Sequence, residues 1–151
     1  VVLGTAEAGE IRSRLVRDRG DGLRGSTTSE TDGKHAATHV EAVEPLGQYS
    51  LANCRLETGR THQIRIHLAE QGHPVCGDLM YREPFGGESA PDESRVPRLA
   101  LHARMLAFEH PESGQRLEFV SELPADLASF VDGLRADCVA GGAKAQESGD
   151  S

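Results

Sequence analysis

Between Ser50 and Gln71 the chain changes its apolar period, and that switch limits what it can fold into more than any other feature. Over 50–57 (SLANCRLE) the side chains alternate, with Ala52, Cys54 and Leu56 on one face, which is the pattern of a half-buried strand. From Thr61 onward Ile64, Leu68 and Gln71 fall three or four apart, which predicts a helix over 61–71. Gly59 at the change allows a sharp turn, Thr58 or Thr61 is placed to cap the helix, and Gly72 is a natural stop before His73-Pro74. A strand therefore hands over to a helix within a few residues.

The rest of the chain is organised around that handover. Ala36, Thr38, Val40 and Ala42 alternate with more polar neighbours, and Pro45-Leu46-Gly47 makes a turn, so 35–57 predicts an antiparallel strand pair. Residues 17–34 are dense in Gly, Ser, Thr and Asp and read as a long exposed loop; 82–97 read as a second. Val75-Cys76 leads into a tight turn at Gly77-Asp78. Leu99 to Phe108 and Gln115 to Ser121 flank His110-Pro111-Glu112-Ser113-Gly114, a hairpin by turn chemistry. After Pro124, Leu127, Phe130, Val131 and Leu134 predict a helix over 125–135 that caps the sheet. These elements form one domain over 1–138, and 139–151 is expected to be a disordered acidic tail.

Charge has to be read locally. The net charge is −8, against the usual basic balance of a non-specific nucleic-acid binder, but 109–151 alone carry −6 of it. Of the 16 basic residues 14 are arginine, planar forks suited to phosphate or carboxylate, although such a bias also arises as a genomic habit. Cys54, Cys76 and Cys138 are odd in number and without C-x-x-C spacing, so neither a disulfide framework nor a thiolate zinc site is suggested. No apolar run reaches the roughly 18 residues of a membrane span, and the chain reads as soluble and cytoplasmic.

Chemistry concentrates in Leu56-Glu57-Thr58-Gly59-Arg60-Thr61-His62-Gln63-Ile64-Arg65. Free N–H groups where a helix opens attract an anion, and Arg60 adds a fork beside them. Arg65 lies between Ile64 and Ile66, so it is either partly buried, and then in need of a carboxylate, or snorkelling to water; Arg60 has the same choice between a ligand and a surface ion pair. His62 and His67 are five apart and face different sides of a helix, no H-E-x-x-H occurs, and a metal site is not expected. G-x-S-x-G and P-loop patterns are absent from the sequence.

The run from Leu56 to Tyr81, LETGRTHQIRIHLAEQGHPVCGDLMY, resembles the signature of RluA-type RNA pseudouridine synthases. Lys34-His35-Ala36-Ala37-Thr38 resembles that family's KxAxT strand, Arg98-Leu99-Ala100-Leu101-His102-Ala103 its RLxLHA strand, and His110-Pro111 with Leu123-Pro124 its closing hairpin and helix. The resemblance implies an α+β fold, a mixed and mainly antiparallel sheet with packed helices. It implies isomerisation of uridine to pseudouridine in ribosomal or transfer RNA, with no cofactor and no metal. By the match to HQIR, Arg65 is expected to pair with the catalytic aspartate. Leu101 is expected to line the uracil pocket, and Arg60, Thr61, His62 and Gln63 to make RNA contacts or local structural ones. Asp78 and Tyr81 are expected to hold the turn rather than touch the base.

One departure qualifies this. The family's aspartate stands in an H-R-L-D-x-x-T-S-G motif followed by a K-x-Y tyrosine, and neither motif occurs in these 151 residues. Val1-Val2-Leu3-Gly4 resembles the end of the strand that begins with that tyrosine. The expectation is a C-terminal part of the catalytic domain, inactive alone; the alternative is a non-catalytic RNA-binding remnant.

Overall fold

The computed structural model describes residues 1–82, 87 and 91–147, with side chains of the last helix described as far as Ala140. In chain order the elements are β1 (Val2–Leu3), β2 (Gly9–Val16), β3 (Gly25–Thr27), β4 (Lys34–Leu46), β5 (Tyr49–Leu56), α1 (Gln63–Glu70), β6 (Met105–Glu109), β7 (Arg116–Val120) and α2 (Ala125–Glu147). Five strands form one sheet in the order β1-β5-β4-β2-β3, and β6 and β7 form a separate hairpin. Each of these strand pairs is antiparallel, and with two helices the fold is α+β.

The predicted pair over 35–57 is the β4–β5 hairpin, turned at Gly47, whose φ is +68°. Its inward face is not the simple alternation read from the sequence. Val40 pairs with Cys54 but Ala42 with Asn53, so one extra residue bulges the strand. A one-residue bulge flips the parity of every position beyond it. Ala42 is consequently exposed, Val43 is half-buried and Leu46 is buried.

Two readings are corrected here. Residues 17–34 are not wholly loop: Gly25–Thr27 form β3, paired with Arg14–Val16 of β2. Ser26 binds the Glu70 carboxylate through its N–H at 2.8 Å and its hydroxyl at 2.5 Å, which ties the segment to α1. Three residues were too few to show an apolar period. Leu99–Arg104, expected to start the hairpin, lie outside the strands; Ala100 donates its N–H to Cys76 O at 2.8 Å, and β6 begins at Met105. Leu106, Phe108 and Phe119 of the hairpin are exposed, the two phenylalanine rings stacked at 6.0 Å.

Helix α1 falls where the period predicts, with a different start. Neither Thr58 nor Thr61 caps it: its first flanking residue is His62, held at φ +59° without a side-chain cap. The expected stop holds. Gly72 at φ +83° donates to Ala69 O at 3.0 Å and His73 to Leu68 O at 2.9 Å, the paired bonds of a Schellman ending. Leu68 belongs to the core of Val2, Val40, Leu46, Tyr49, Val75, Leu127 and Val131, whereas Ile66 and Ala69 pack with Leu15, Ala36 and Tyr81 in a second cluster. Helix α1 is thus buried on two sides.

Helix α2 buries Leu127 and Val131, and its Arg135 reaches Glu44 of β4 in a two-bond pair, both at 2.8 Å. It runs on to Glu147, so the backbone of 139–147 is helical where composition suggested a tail; 148–151 lie outside the described residues, as do 83–86 and 88–90 of the loop expected over 82–97.

Candidate functional site

The corner between β5 and α1 is built by one amide. Gln63 is 2% exposed, and its side chain makes four hydrogen bonds. Its Oε1 accepts from the Thr58 hydroxyl at 2.8 Å and the Arg60 N–H at 3.0 Å; its Nε2 donates to Ala37 O at 2.9 Å and Thr38 Oγ1 at 3.0 Å. Of the two roles open to Gln63 in the sequence, the local structural one is what its geometry serves. Thr58 completes the lock, its Oγ1 accepting the Ala37 N–H at 2.9 Å.

Beneath it His67 is fully buried, with Nδ1 2.9 Å from Thr38 Oγ1 and Nε2 2.9 Å from Ser13 Oγ. Burial lowers its pKa, partly offset by Glu70, and the ring is held neutral between two hydroxyls that can match either tautomer.

Two residues before His67, about half a turn, Arg65 lies on the other side of the helix, its side chain 17% exposed. Its Nε and Nη2 donate to the two oxygens of Asp78 at 2.6 and 2.8 Å, and its guanidinium stands 4.9 Å from the centre of the Tyr81 ring. The need for a carboxylate, argued from burial, is therefore met inside the chain. Asp78 is fully buried at its side chain and also accepts the N–H groups of Met80 at 2.9 Å and Tyr81 at 3.0 Å. It holds the turn, as expected, and grips Arg65 as well, a link the sequence reading missed.

Burial pushes the Asp78 pKa up, but the Arg65 guanidinium and the N–H groups of Tyr81 and Met80 outweigh it, and the net direction is down. The Nη1 of Arg65 makes no hydrogen bond among the described residues and remains a free donor.

His62 joins the same cluster. Its Nδ1 is 2.9 Å from the Tyr81 hydroxyl and the two rings meet edge to face at 5.5 Å. Burial, and then the charges of Arg65 and Arg24, lower its pKa. Arg60 and Thr61 are exposed; Arg60 donates Nε to His35 O at 3.1 Å, and with Gly59 both line a groove of about 760 Å³. Leu101 is half-buried, packed against the larger core.

A third cluster went unread because its members come from separate elements. Glu10, His39 and Glu57 bring one ligand atom each within 4.8 Å of one another. Arg12 already binds both carboxylates, at 2.5 and 3.2 Å, which makes the cluster an exposed ion-pair network. Among the described residues no helix is long and apolar enough to cross a membrane.

The antiparallel sheet, the α1 corner and the locked guanidinium together describe an α+β domain with one ordered, arginine-bearing corner. The family described as RNA pseudouridylate synthase matches residues 3–70. The chain is 40% identical over 131 residues to the uncharacterized RNA pseudouridine synthase YlyB of Bacillus subtilis, covering 84% of this chain and 39% of that protein. It is 46% identical over 110 residues to the ribosomal large subunit pseudouridine synthase D of Nitrosomonas europaea, covering 69% of this chain and 30% of that protein. Human RNA pseudouridylate synthase domain containing 1 shares the fold at a TM-score of 0.62 and 26% identity, over 89% of this chain and 63% of that structure. This chain belongs to the RNA pseudouridylate synthase family. It spans less than half the length of these curated relatives.

Proposed function

We propose that this chain works as part of an RNA pseudouridine synthase that converts uridine to pseudouridine in ribosomal or transfer RNA, with Arg65 directing its free edge at the aspartate that attacks the nucleotide. The observation that carries this is the locking of Arg65: two bonds to Asp78 and a ring face fix the guanidinium and leave Nη1 unused. A cation fixed in a largely dry site keeps a nearby carboxylate ionised and oriented without reorganising during reaction. Leu101 lines the uracil pocket, and Arg60, Thr61 and His62 meet the RNA at the corner while Gln63 holds that corner in shape. The 151 residues alone carry neither the H-R-L-D nor the K-x-Y motif and are inactive without a partner segment that supplies them.

The test is release of tritium from RNA labelled at C5 of uridine, since that proton is lost when C5 forms the new glycosidic bond. The protein as encoded by its gene should release label with no added metal. Arg65→Ala should slow release by about 100-fold or more, the scale of losing one preorganised charge donor. Full activity in that variant refutes the role given to Arg65. RNA binding without any release replaces catalysis with a binding function.

A further inference from the structure

The groove beside Gly59 has a property that the corner alone does not explain: its cations lack partners. Arg17, Arg24 and Lys34 line it and make no ion pair or side-chain hydrogen bond among the described residues, and Arg60 uses only its Nε. Elsewhere Arg12, Arg19, Arg55, Arg65, Arg98 and Arg135 are held in ion pairs, whereas Arg95, Arg104 and Arg116 are scattered singly and unpaired among the described residues.

Two carboxylates, Asp18 and Asp32, also line the groove, but they serve the loop. Asp18 Oδ1 accepts the N–H groups of Gly20 and Gly22 at 2.8 and 2.9 Å, and Asp32 Oδ1 that of Gly33 at 2.7 Å. In a chain of net charge −8 the four cations of the groove, Arg17, Arg24, Lys34 and Arg60, outnumber its two carboxylates and leave the lining with a positive surplus.

We propose that this groove is a track for the phosphodiester backbone of RNA, carrying the nucleotides that flank the target toward Arg65. The inference rests on the function proposed above and adds where the strand runs. The groove's lining includes Gly59, Arg60 and Thr61, the corner from which α1 and Arg65 follow, and this sets the direction. The wall is firm. Arg14 donates to the carbonyls of Asp32 and Gly33 at 2.7 and 3.0 Å, and Gly33 sits at φ +73° with Leu15 O only 2.9 Å from where a Cβ would stand.

The lining contains no aromatic ring, and Leu15 and Val16 are its only large apolar side chains. Nothing there stacks on a base, so the groove reads phosphate and not sequence.

The experiment uses the 151-residue chain and a fluorescein-labelled RNA stem-loop, with anisotropy followed from about 50 to 200 mM salt. Each phosphate contact contributes roughly 0.7 to 0.9 to the slope of log K against log salt. The triple variant Arg17→Ser/Arg24→Ser/Lys34→Ser should lower that slope by about two to three and weaken binding at low salt by about 10-fold or more. Lys34→Gln alone, an exposed change that leaves the fold intact, should lower the slope by about one.

Arg104→Ser/Arg116→Ser, on the separate hairpin, should leave the slope unchanged, and an unrelated stem-loop should bind equally well. An unaltered slope in the groove variants overturns the proposal, as does failure of the unmodified chain to bind at low salt or competition by uridine monophosphate on a par with the stem-loop. Binding through the groove together with no tritium release from the full gene product sinks the proposed catalysis and leaves the groove standing.

Discussion

Replacing Asp78 by alanine removes a carboxylate that is fully buried and accepts four hydrogen bonds, two from Arg65 and one each from the backbone of Met80 and Tyr81. Arg65 is left as a cation with its side chain only 17% exposed, facing a tyrosine ring and no anion. Breaking one side of a buried pair costs about 3–5 kcal/mol, because the remaining charge stays desolvated. The Tyr81 N–H adds to this, since Tyr81 is 1% exposed, whereas the exposed Met80 can turn its N–H to water. A loss of about 4 kcal/mol is a large share of the roughly 5–15 kcal/mol that holds a domain folded. With a urea m-value of about 2 kcal/mol/M, the midpoint in a denaturation followed by helical circular dichroism should fall by about 2 M. Asp78→Asn, which keeps the shape but sets an amide against the guanidinium, should cost roughly half as much. The native Asp78 pKa is lowered below its ordinary value of 3.8, so this contribution is present above pH 3.8 and disappears as pH falls through the native pKa. The alanine variant should therefore show a flatter acid limb. A loss under about 1 kcal/mol at unchanged m would mean the pair is worth no more than a surface ion pair, and the reasoning about a locked Arg65 fails.

The other expectations concern the network behind the corner. Gln63→Leu fills the same space but strips the acceptor from Thr58 and Arg60 and the donor from Ala37 O and Thr38, at about 1 kcal/mol for each of the four lost bonds, so a thermal melt should fall by several degrees. A melt unchanged within a degree or two would return Gln63 to the pool of surface ligands. His67 has a native pKa lowered below 6.5, so the unfolded chain takes up its proton first; its contribution is complete above pH 6.5 and drains away as pH drops toward the native value. Unfolding free energies between about pH 7.5 and 5 should slope downward in the native chain and less so in His67→Gln; equal slopes would remove His67 as the cause.

What the sequence disclosed and what it hid divide along one line, the reach of local pattern. Helix α1 and the β4–β5 pair were legible because their periods are set by neighbours a few residues away, and Gly72 announced its ending by the φ that only glycine adopts freely. Strand β3 was hidden because its evidence is cross-strand pairing, and the bulge near Glu41 because parity errors leave no mark in composition.

The site shows the same limit at higher cost. Burial predicted that Arg65 needs a carboxylate, yet its spacing from Asp78 reveals nothing. The two meet only because the chain reverses after α1 at Gly72 and turns again at Gly77, φ +76°, where Arg98 O lies 2.6 Å from any Cβ. That packing aims Asp78 back at the helix. The signature from Leu56 to Tyr81 is therefore one mechanical unit: Gln63 fixes where the helix starts, the two glycines fix where the turn returns, and the guanidinium between them has two nitrogens bound and one left over. Nη1 is the nitrogen that keeps both its N–H groups free of partners among the described residues, so it is the edge Arg65 presents to whatever lies outside them.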